Sequence, residues 1–207
     1  MPGRRTDLKS WQSLWQRCGM TGDSLAWHQK LLAAYSEPQR AYHTLQHLEE
    51  CLRCFDEVKK AGVMAKPDLI EMALWFHDAV YDPQGSENEE LSARMAVEAG
   101  GSDEVARLIL LTKSHQPGEG ADDAWIIDID LVIFAQPPER VLEYERQIRV
   151  EYAWVPQELY TEKRVEILRG FLEREHLYLT AWFRERHEAR ARENLRALIA
   201  AVKPLTV

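Results

Sequence analysis

The chain has 207 residues, of which 45% are hydrophobic and 29% are charged, and its formal net charge is −8. A length and composition of this kind fit one globular domain, and no apolar run approaches the roughly 20 residues that a membrane-spanning helix needs. The negative charge disfavours binding to a nucleic-acid duplex, because such binding normally requires a basic surface.

The N-terminus and the cysteines indicate the compartment. Residues 1–12 contain two arginines with no apolar stretch after them, so we predict no secretory signal, no membrane partner and a cytoplasmic location. The three cysteines, Cys18, Cys51 and Cys54, are too few and odd in number for a disulfide framework. Because Cys51 and Cys54 lack a second pair to complete a zinc site, we expect two buried or half-buried thiols on a helix.

Helical periodicity dominates the chain. Asp23 or Ser24 is suited to cap the second predicted helix, and Ser102 or Asp103 the sixth. The fourth helix begins at Pro67 and is apolar almost all round, so we predict that it is the central, buried helix. The predicted helices span about residues 6–18, 24–37, 42–61, 67–78, 87–99, 105–114, 123–135, 138–153, 157–174 and 177–201.

One segment, Ile126–Phe134, is ambiguous because it alternates like a strand for about five residues. Nothing else in the chain has the pattern of a partner strand, so we predict that this segment is helical. The expected fold is therefore all-α, with residues 1–207 in a single domain.

Two short motifs carry side chains that can bind a metal. His43 and His47 are four residues apart and would share one face of a helix, although two surface histidines would show the same spacing. His77 and Asp78 end the most apolar helix of the chain. A carboxylate there needs a partner, unless it simply emerges into the following turn.

A third motif, Asp128 and Asp130, places two carboxylates in an apolar segment, where they would repel each other without a counter-charge. A bound cation is one solution, and the alternative is that one carboxylate faces solvent while the other pairs with an arginine. Together the three motifs offer imidazole and carboxylate ligands from three helices. This mixture suits a divalent Mn, Fe, Zn, Co, Ni or Mg ion, and helices packed side by side can direct such ligands inward.

Several short segments of the sequence are similar to the motifs of a known family. They are Tyr42-His43-x-Leu45-x-His47, Trp75-Phe76-His77-Asp78-Ala79-Val80-Tyr81, Asn88-Glu89-x-x-Ser92-Ala93, Thr112-x-x-His115, Asp128-Ile129-Asp130-Leu131, Ile148-Arg149-x-Glu151-Tyr152 and Ala191-Arg192-x-Asn194. In this order they resemble the HD superfamily of metal-dependent phosphohydrolases, and in particular an uncharacterised bacterial branch of it. The resemblance implies an HD-like metal-binding core at about residues 40–135, supported by helices in 1–39 and in 136–207.

The resemblance also implies roles for individual residues. The metal ligands would be His47, His77, Asp78 and Asp130. The first motif is similar to the Tyr-His-Asn-x-x-His of cyclic-nucleotide phosphodiesterases, with Thr44 in place of the asparagine. By that similarity His43 would be the general acid that protonates the leaving oxygen, and His43 and Asp78 are the expected catalytic residues.

Further residues are candidates for substrate binding or for support of the ligands: Asp128, His115, Glu89 and Arg149. Asp130 is preferred to Asp128 as the last ligand. His115 could bind a second metal or the substrate phosphate, or could be an ordinary helix-end histidine. Arg40 and Arg146, like Arg149, are candidates for binding phosphate, with surface salt bridges as the alternative.

The expected function is hydrolysis of a small-molecule phosphate ester by metal-activated water, on a phosphomonoester or a phosphodiester such as a nucleotide. The alternative is a ligand-binding or regulatory protein that keeps the metal without turnover. Neither the substrate nor the oligomeric state follows from the sequence.

Overall fold

The computed structural model describes residues 5–202. Among these residues there are ten α-helices, one 3-10 helix and no strand, which confirms the all-α prediction, including the ambiguous segment. Residues 1–4, part of the region considered for a secretory signal, lie outside the described residues. The helices are α1 (Leu8–Arg17), α2 (Ser24–Ala34), α3 (Leu45–Lys60), α4 (Pro67–Phe76), α5 (Asn88–Glu98), α6 (Asp103–Ser114), α7 (Asp123–Asp130), the 3-10 helix (Leu131–Ala135), α8 (Pro138–Glu151), α9 (Gln157–Leu172) and α10 (Ala181–Val202).

The chain divides into two compact units at Asp130 and Leu131. The first unit contains α1 to α7, and the second contains the 3-10 helix and α8 to α10. The division falls within the segment 123–135 that the sequence analysis predicted as one helix, at the point where the backbone changes from α-helix to 3-10 helix. Among the described residues, no helix combines the length and the apolar character needed to cross a membrane.

Helix α4 is the centre of the first unit, as predicted from its apolar sequence. Every residue from Ile70 to Phe76 is buried, and α4 packs against α1, α3, α5, α6 and α7. The rings of Trp11 and Trp75 meet at 4.9 Å between centroids and join α1 to α4. A helix surrounded in this way holds the residues at its C-terminal end in a fixed position.

Helix α3 begins later than predicted, at Leu45 instead of Tyr42. Thr44 is the N-cap, with an extended backbone, and its hydroxyl accepts a hydrogen bond from the N–H of Gln46. A threonine in this position satisfies one of the N–H groups that the first turn leaves without a partner. His43 consequently lies in the turn before the helix, so the prediction that it shares a helix face with His47 is wrong.

The second unit is held together partly by side chains that bond to backbone groups. The hydroxyl of Tyr178 donates to the carbonyl of Leu131, and the side-chain amide of Asn194 donates to the carbonyl of Phe134. The carboxylate of Glu188 accepts the N–H groups of Leu177 and Tyr178. Helix α10 begins at Ala181, four residues later than predicted.

Candidate metal centre

Four predicted ligands lie together in the first unit, and each is at or near the end of a helix. His47 is in the first turn of α3, His77 and Asp78 follow α4, and Asp130 ends α7. The Nε2 atoms of His47 and His77 are 3.1 Å apart. Oδ2 of Asp78 lies 3.3 Å from the first of these nitrogens and 3.1 Å from the second. Oδ1 of Asp130 lies 3.2 Å and 3.4 Å from the same two nitrogens.

These separations match the spacing of ligand atoms around a single ion. Donors at about 2.0–2.2 Å from one metal lie roughly 3.0–3.5 Å from each other at octahedral or tetrahedral angles. The five separations that involve a histidine nitrogen, one between the two nitrogens and four from a nitrogen to a carboxylate oxygen, fall between 3.1 and 3.4 Å. The donor set of two imidazoles and two carboxylates therefore has the chemistry and the spacing to hold a divalent ion.

The imidazole of His77 is oriented by the helix that precedes it. Nδ1 of His77 is 2.7 Å from the carbonyl oxygen of Leu74, so we assign the proton of the neutral ring to Nδ1. The Nε2 lone pair then points into the cluster, towards carboxylate oxygens that are also acceptors. A backbone carbonyl that fixes the tautomer of a histidine ligand in this way is common in metal sites.

Asp78 provides a second sign that a positive charge is needed. Its Oδ2 atom is buried and accepts no hydrogen bond, although two imidazole nitrogens lie within 3.3 Å of it. A buried carboxylate oxygen without a donor is costly in free energy. A cation between this oxygen and the two nitrogens would satisfy all three atoms.

The electrostatics of the cluster lead to the same conclusion. Burial lowers the pKa of His47 and His77, and it raises the pKa of Asp78 and Asp130. The effect of the neighbouring groups is larger than the effect of burial. Negative neighbours hold the pKa of both imidazoles well above the usual histidine value, and the histidines hold the pKa of both carboxyls well below the usual aspartate value. The two carboxylates therefore require positive charge, which either added protons or a metal ion can supply.

No family model, curated protein or solved structure matches this chain. What the cluster can do is therefore inferred from its own donor atoms and from the side chains around it.

His43, the predicted general acid, lies beside the metal centre but outside its donor set. Its ring is partly exposed and stacks on Tyr81, with centroids 4.1 Å apart. Its ring is nearly perpendicular to that of Tyr42, with centroids 4.9 Å apart, and its centroid is 6.0 Å from that of His47. The stack holds the imidazole in place while leaving it accessible from solvent.

The other predicted residues differ in how close they lie to the metal centre. His115 ends α6, and its Nε2 is 3.0 Å from Oδ2 of Asp130. Asp128 is fully buried, but it lies two residues before Asp130 on the same helix, so the two side chains point in different directions. Glu89 lies in the first turn of α5, on a different helix from those that carry the four predicted ligands.

Arg40 is a structural residue and does not have the free guanidinium that binding phosphate would require, which corrects the sequence analysis. Its side chain is completely buried, and its Nε donates to Glu37 at 3.1 Å. Nη1 donates to the carbonyls of His43 and Asp78, at 3.0 Å and 2.7 Å, and Nη2 donates to that of Ala79 at 3.1 Å. Arg40 thus ties the turn before α3 to the turn after α4, the two segments that carry the site.

We expect Arg40→Ala to lower the free energy of unfolding by about 2–4 kcal/mol, because it leaves buried carbonyl oxygens without donors. Arg40→Lys should not restore the stability, since a single ammonium group cannot reach acceptors spread around a planar guanidinium. Urea unfolding in the presence of a chelator measures the effect without a contribution from bound metal. Arg53→Ala is the control, because Arg53 is largely exposed, and it should change the stability by less than about 0.5 kcal/mol.

The predicted phosphate ligand Arg149 is also occupied by structural contacts. Its nitrogens donate to the carbonyls of Tyr152 and Val155 and to the side chain of Gln157, at 2.6, 3.2 and 2.9 Å. Its guanidinium lies over the ring of Tyr160, 4.7 Å from the centroid. These contacts hold the turn between α8 and α9, so we attribute a structural role to Arg149.

Cys51 is a neighbour of the metal centre that the sequence analysis considered as a donor only in a pair with Cys54, and not together with His47. It is fully buried, as predicted, and the group His47, Cys51, His77 and Asp130 offers donor atoms within 4.8 Å of one another. Its position one turn after His47 is the signal that could have revealed it. Its sulfur is 3.7 Å from Nδ1 and 3.8 Å from Nε2 of His47, so it lies beside the ring and not along the lone pair of either nitrogen.

We therefore expect Cys51→Ser to keep its metal. The cobalt(II) form of the unmodified protein should lack the near-ultraviolet charge-transfer band that a thiolate ligand produces. Absorption spectra of both proteins with cobalt test this expectation. A thiolate band that disappears in Cys51→Ser would instead make Cys51 a ligand.

Proposed function

We propose that this protein is a metal-dependent phosphohydrolase whose divalent ion is bound by His47, His77, Asp78 and Asp130. The observation that carries the proposal is the convergence of two imidazole nitrogens and two carboxylate oxygens, all 3.1–3.4 Å apart in the pairs measured. Three different helices supply these groups, which makes an accidental surface cluster a poor explanation. The similarity of the ordered motifs to HD-superfamily phosphohydrolases supports the same assignment.

The donor set narrows the choice of metal. Two imidazole ligands suit Mn, Fe, Zn, Co or Ni, whereas Mg prefers oxygen ligands and retains several waters. We therefore expect a transition metal to bind more tightly than Mg. In a site of this kind the ion supplies a water of lowered pKa and draws charge from a phosphoryl oxygen.

The protein's own residues contribute binding and proton transfer. In the proposed reaction the oxygen of a water molecule bonds to phosphorus and one of its protons passes to solvent, while the bond from phosphorus to the leaving oxygen breaks. Protonated His43 donates its N–H proton to that oxygen and regains a proton from solvent afterwards. The stack on Tyr81 would keep the imidazole at the edge of the site, where a leaving group departs.

The experiment that tests the proposal has two parts. Elemental analysis of the purified protein gives the identity and amount of bound metal, and a panel of phosphomonoesters and phosphodiesters then tests the metal-loaded protein for turnover. We expect about one or more ions per chain and hydrolysis of at least one ester class. A protein that binds metal but turns over none of the panel would favour the regulatory alternative.

A further inference from the structure

The two oxygens of Asp130 have different partners. Oδ1 faces His47 and His77, at 3.2 Å and 3.4 Å from their Nε2 atoms. Oδ2 is turned away from them and lies 3.0 Å from Nε2 of His115. We propose that His115 is a positioning residue, whose Nε2–H donates to Oδ2 and so directs Oδ1 towards the metal. This inference rests on the proposed metal centre.

The backbone of His115 is the second observation. With φ 51° and ψ 39°, it is the one non-glycine residue with a positive φ among those that the structure describes. The residue that follows a helix often adopts this left-handed conformation, but it is usually glycine, because a side chain is strained there. A histidine at a strained position is accounted for if that backbone conformation lets its side chain make a useful contact, here the hydrogen bond to Asp130.

The contact is built on two helices that are already braced against each other. α6 packs against α7, and Arg107 of α6 donates to the carboxylate of Asp123, at the start of α7, at 2.8 Å. The connecting loop is tucked against this ion pair, since a Cβ on Gly118 or Gly120 would clash with the Asp123 carboxylate. The ion pair fixes one end of α7 on α6, and the bond between His115 and Asp130 fixes the other end.

This arrangement gives His115 a role that differs from ligation. A hydrogen bond from the imidazole N–H sets the rotation of the carboxylate, and such outer contacts typically change metal affinity by about 10–100-fold. If His115 instead bound a second ion beside Oδ2 of Asp130, its loss would change the number of ions bound and not only their affinity. Counting the bound ions therefore separates the two roles.

The test compares His115→Gly with His115→Gln, using cobalt(II) alone as the probe. Glycine removes both the donor and the backbone strain, so we expect unfolding in chelator to be unchanged or to require more urea. Its cobalt affinity should nevertheless fall about 10–100-fold, with a changed visible spectrum. Glutamine keeps an N–H donor at a similar distance from the backbone and should restore much of the affinity.

Three results would overturn the proposal. His115→Gly could bind cobalt with the affinity and spectrum of the unmodified protein, in which case the hydrogen bond positions nothing. The unmodified protein could bind two ions per chain and the glycine variant one, which would make His115 a ligand. If the unmodified protein bound no cobalt, zinc or manganese, the metal centre itself would fail, and this proposal with it.

Discussion

Replacing His77 by alanine is expected to remove the metal and abolish hydrolysis of phosphate esters. The substitution takes away one of the two nitrogen donors and leaves Asp78 and Asp130 facing each other with less positive charge between them. Because His77 is also buried, Asp78→Asn provides a second variant that keeps the shape of the side chain and removes only its charge. Both variants should contain no metal by elemental analysis and show no turnover above background.

Stability measurements make this prediction independent of the substrate. An ion that binds only the folded protein stabilises it by about 2.7 kcal/mol when its free concentration is 100 times its Kd. A chelator should therefore lower the unfolding temperature of the unmodified protein and leave that of His77→Ala and Asp78→Asn unchanged. If the chelator had equal effects on all three proteins, the bound ion would lie elsewhere.

His28→Ala is a matched control for the loss of a buried histidine. His28 is buried in the same unit, and its Nε2 bonds to the carbonyl oxygen of Thr6 at 2.9 Å, outside the metal centre. Its replacement should lower the stability because a buried carbonyl loses its partner. The metal content and the response to chelator should remain those of the unmodified protein, so a loss of metal in His77→Ala alone identifies a ligand.

The parts of the fold that could be predicted from the sequence are those fixed by neighbouring residues. The apolar run before His77 predicts a buried helix, and Asp23 and Ser102 act as the N-caps that their positions suggest. The motif containing His77 and Asp78 places both at the end of that helix for the same local reason. Predictions of this kind depend on a few consecutive residues, and the structure confirms them.

The parts that could not be predicted depend on contacts between distant residues. Arg40 is 38 residues from Asp78, and nothing near it in the sequence shows that its guanidinium binds backbone carbonyls. The pairing of His115 with Asp130 likewise requires α6 and α7 to be placed first. The start of α3 was missed because apolar and aromatic residues continue through Tyr42 and His43, whereas the N-cap geometry of Thr44 decides the boundary.

Replacing His43 by alanine is expected to lower kcat by about 10²–10⁴-fold for an alkyl phosphate while leaving the metal in place. The reason is that an alkoxide is a poor leaving group unless it is protonated as the bond to phosphorus breaks. An aryl phosphate with an acidic phenol departs readily as the anion, so the loss for that substrate should be much smaller. Comparing the two esters on one variant measures proton transfer separately from binding.

His43→Gln is the matched variant for this comparison, because glutamine can donate a hydrogen bond but cannot give up a proton near neutral pH. If His43 is the general acid, glutamine should be as slow as alanine on the alkyl ester. If His43 only holds the substrate, His43→Gln should recover much of the rate, and His43→Ala should lower kcat by the same factor for both esters. The ring centroids of His43 and His47 are 6.0 Å apart, so His43 is near enough to the metal centre for this to be checked. Loss of metal from either variant would show that His43 is itself a metal ligand.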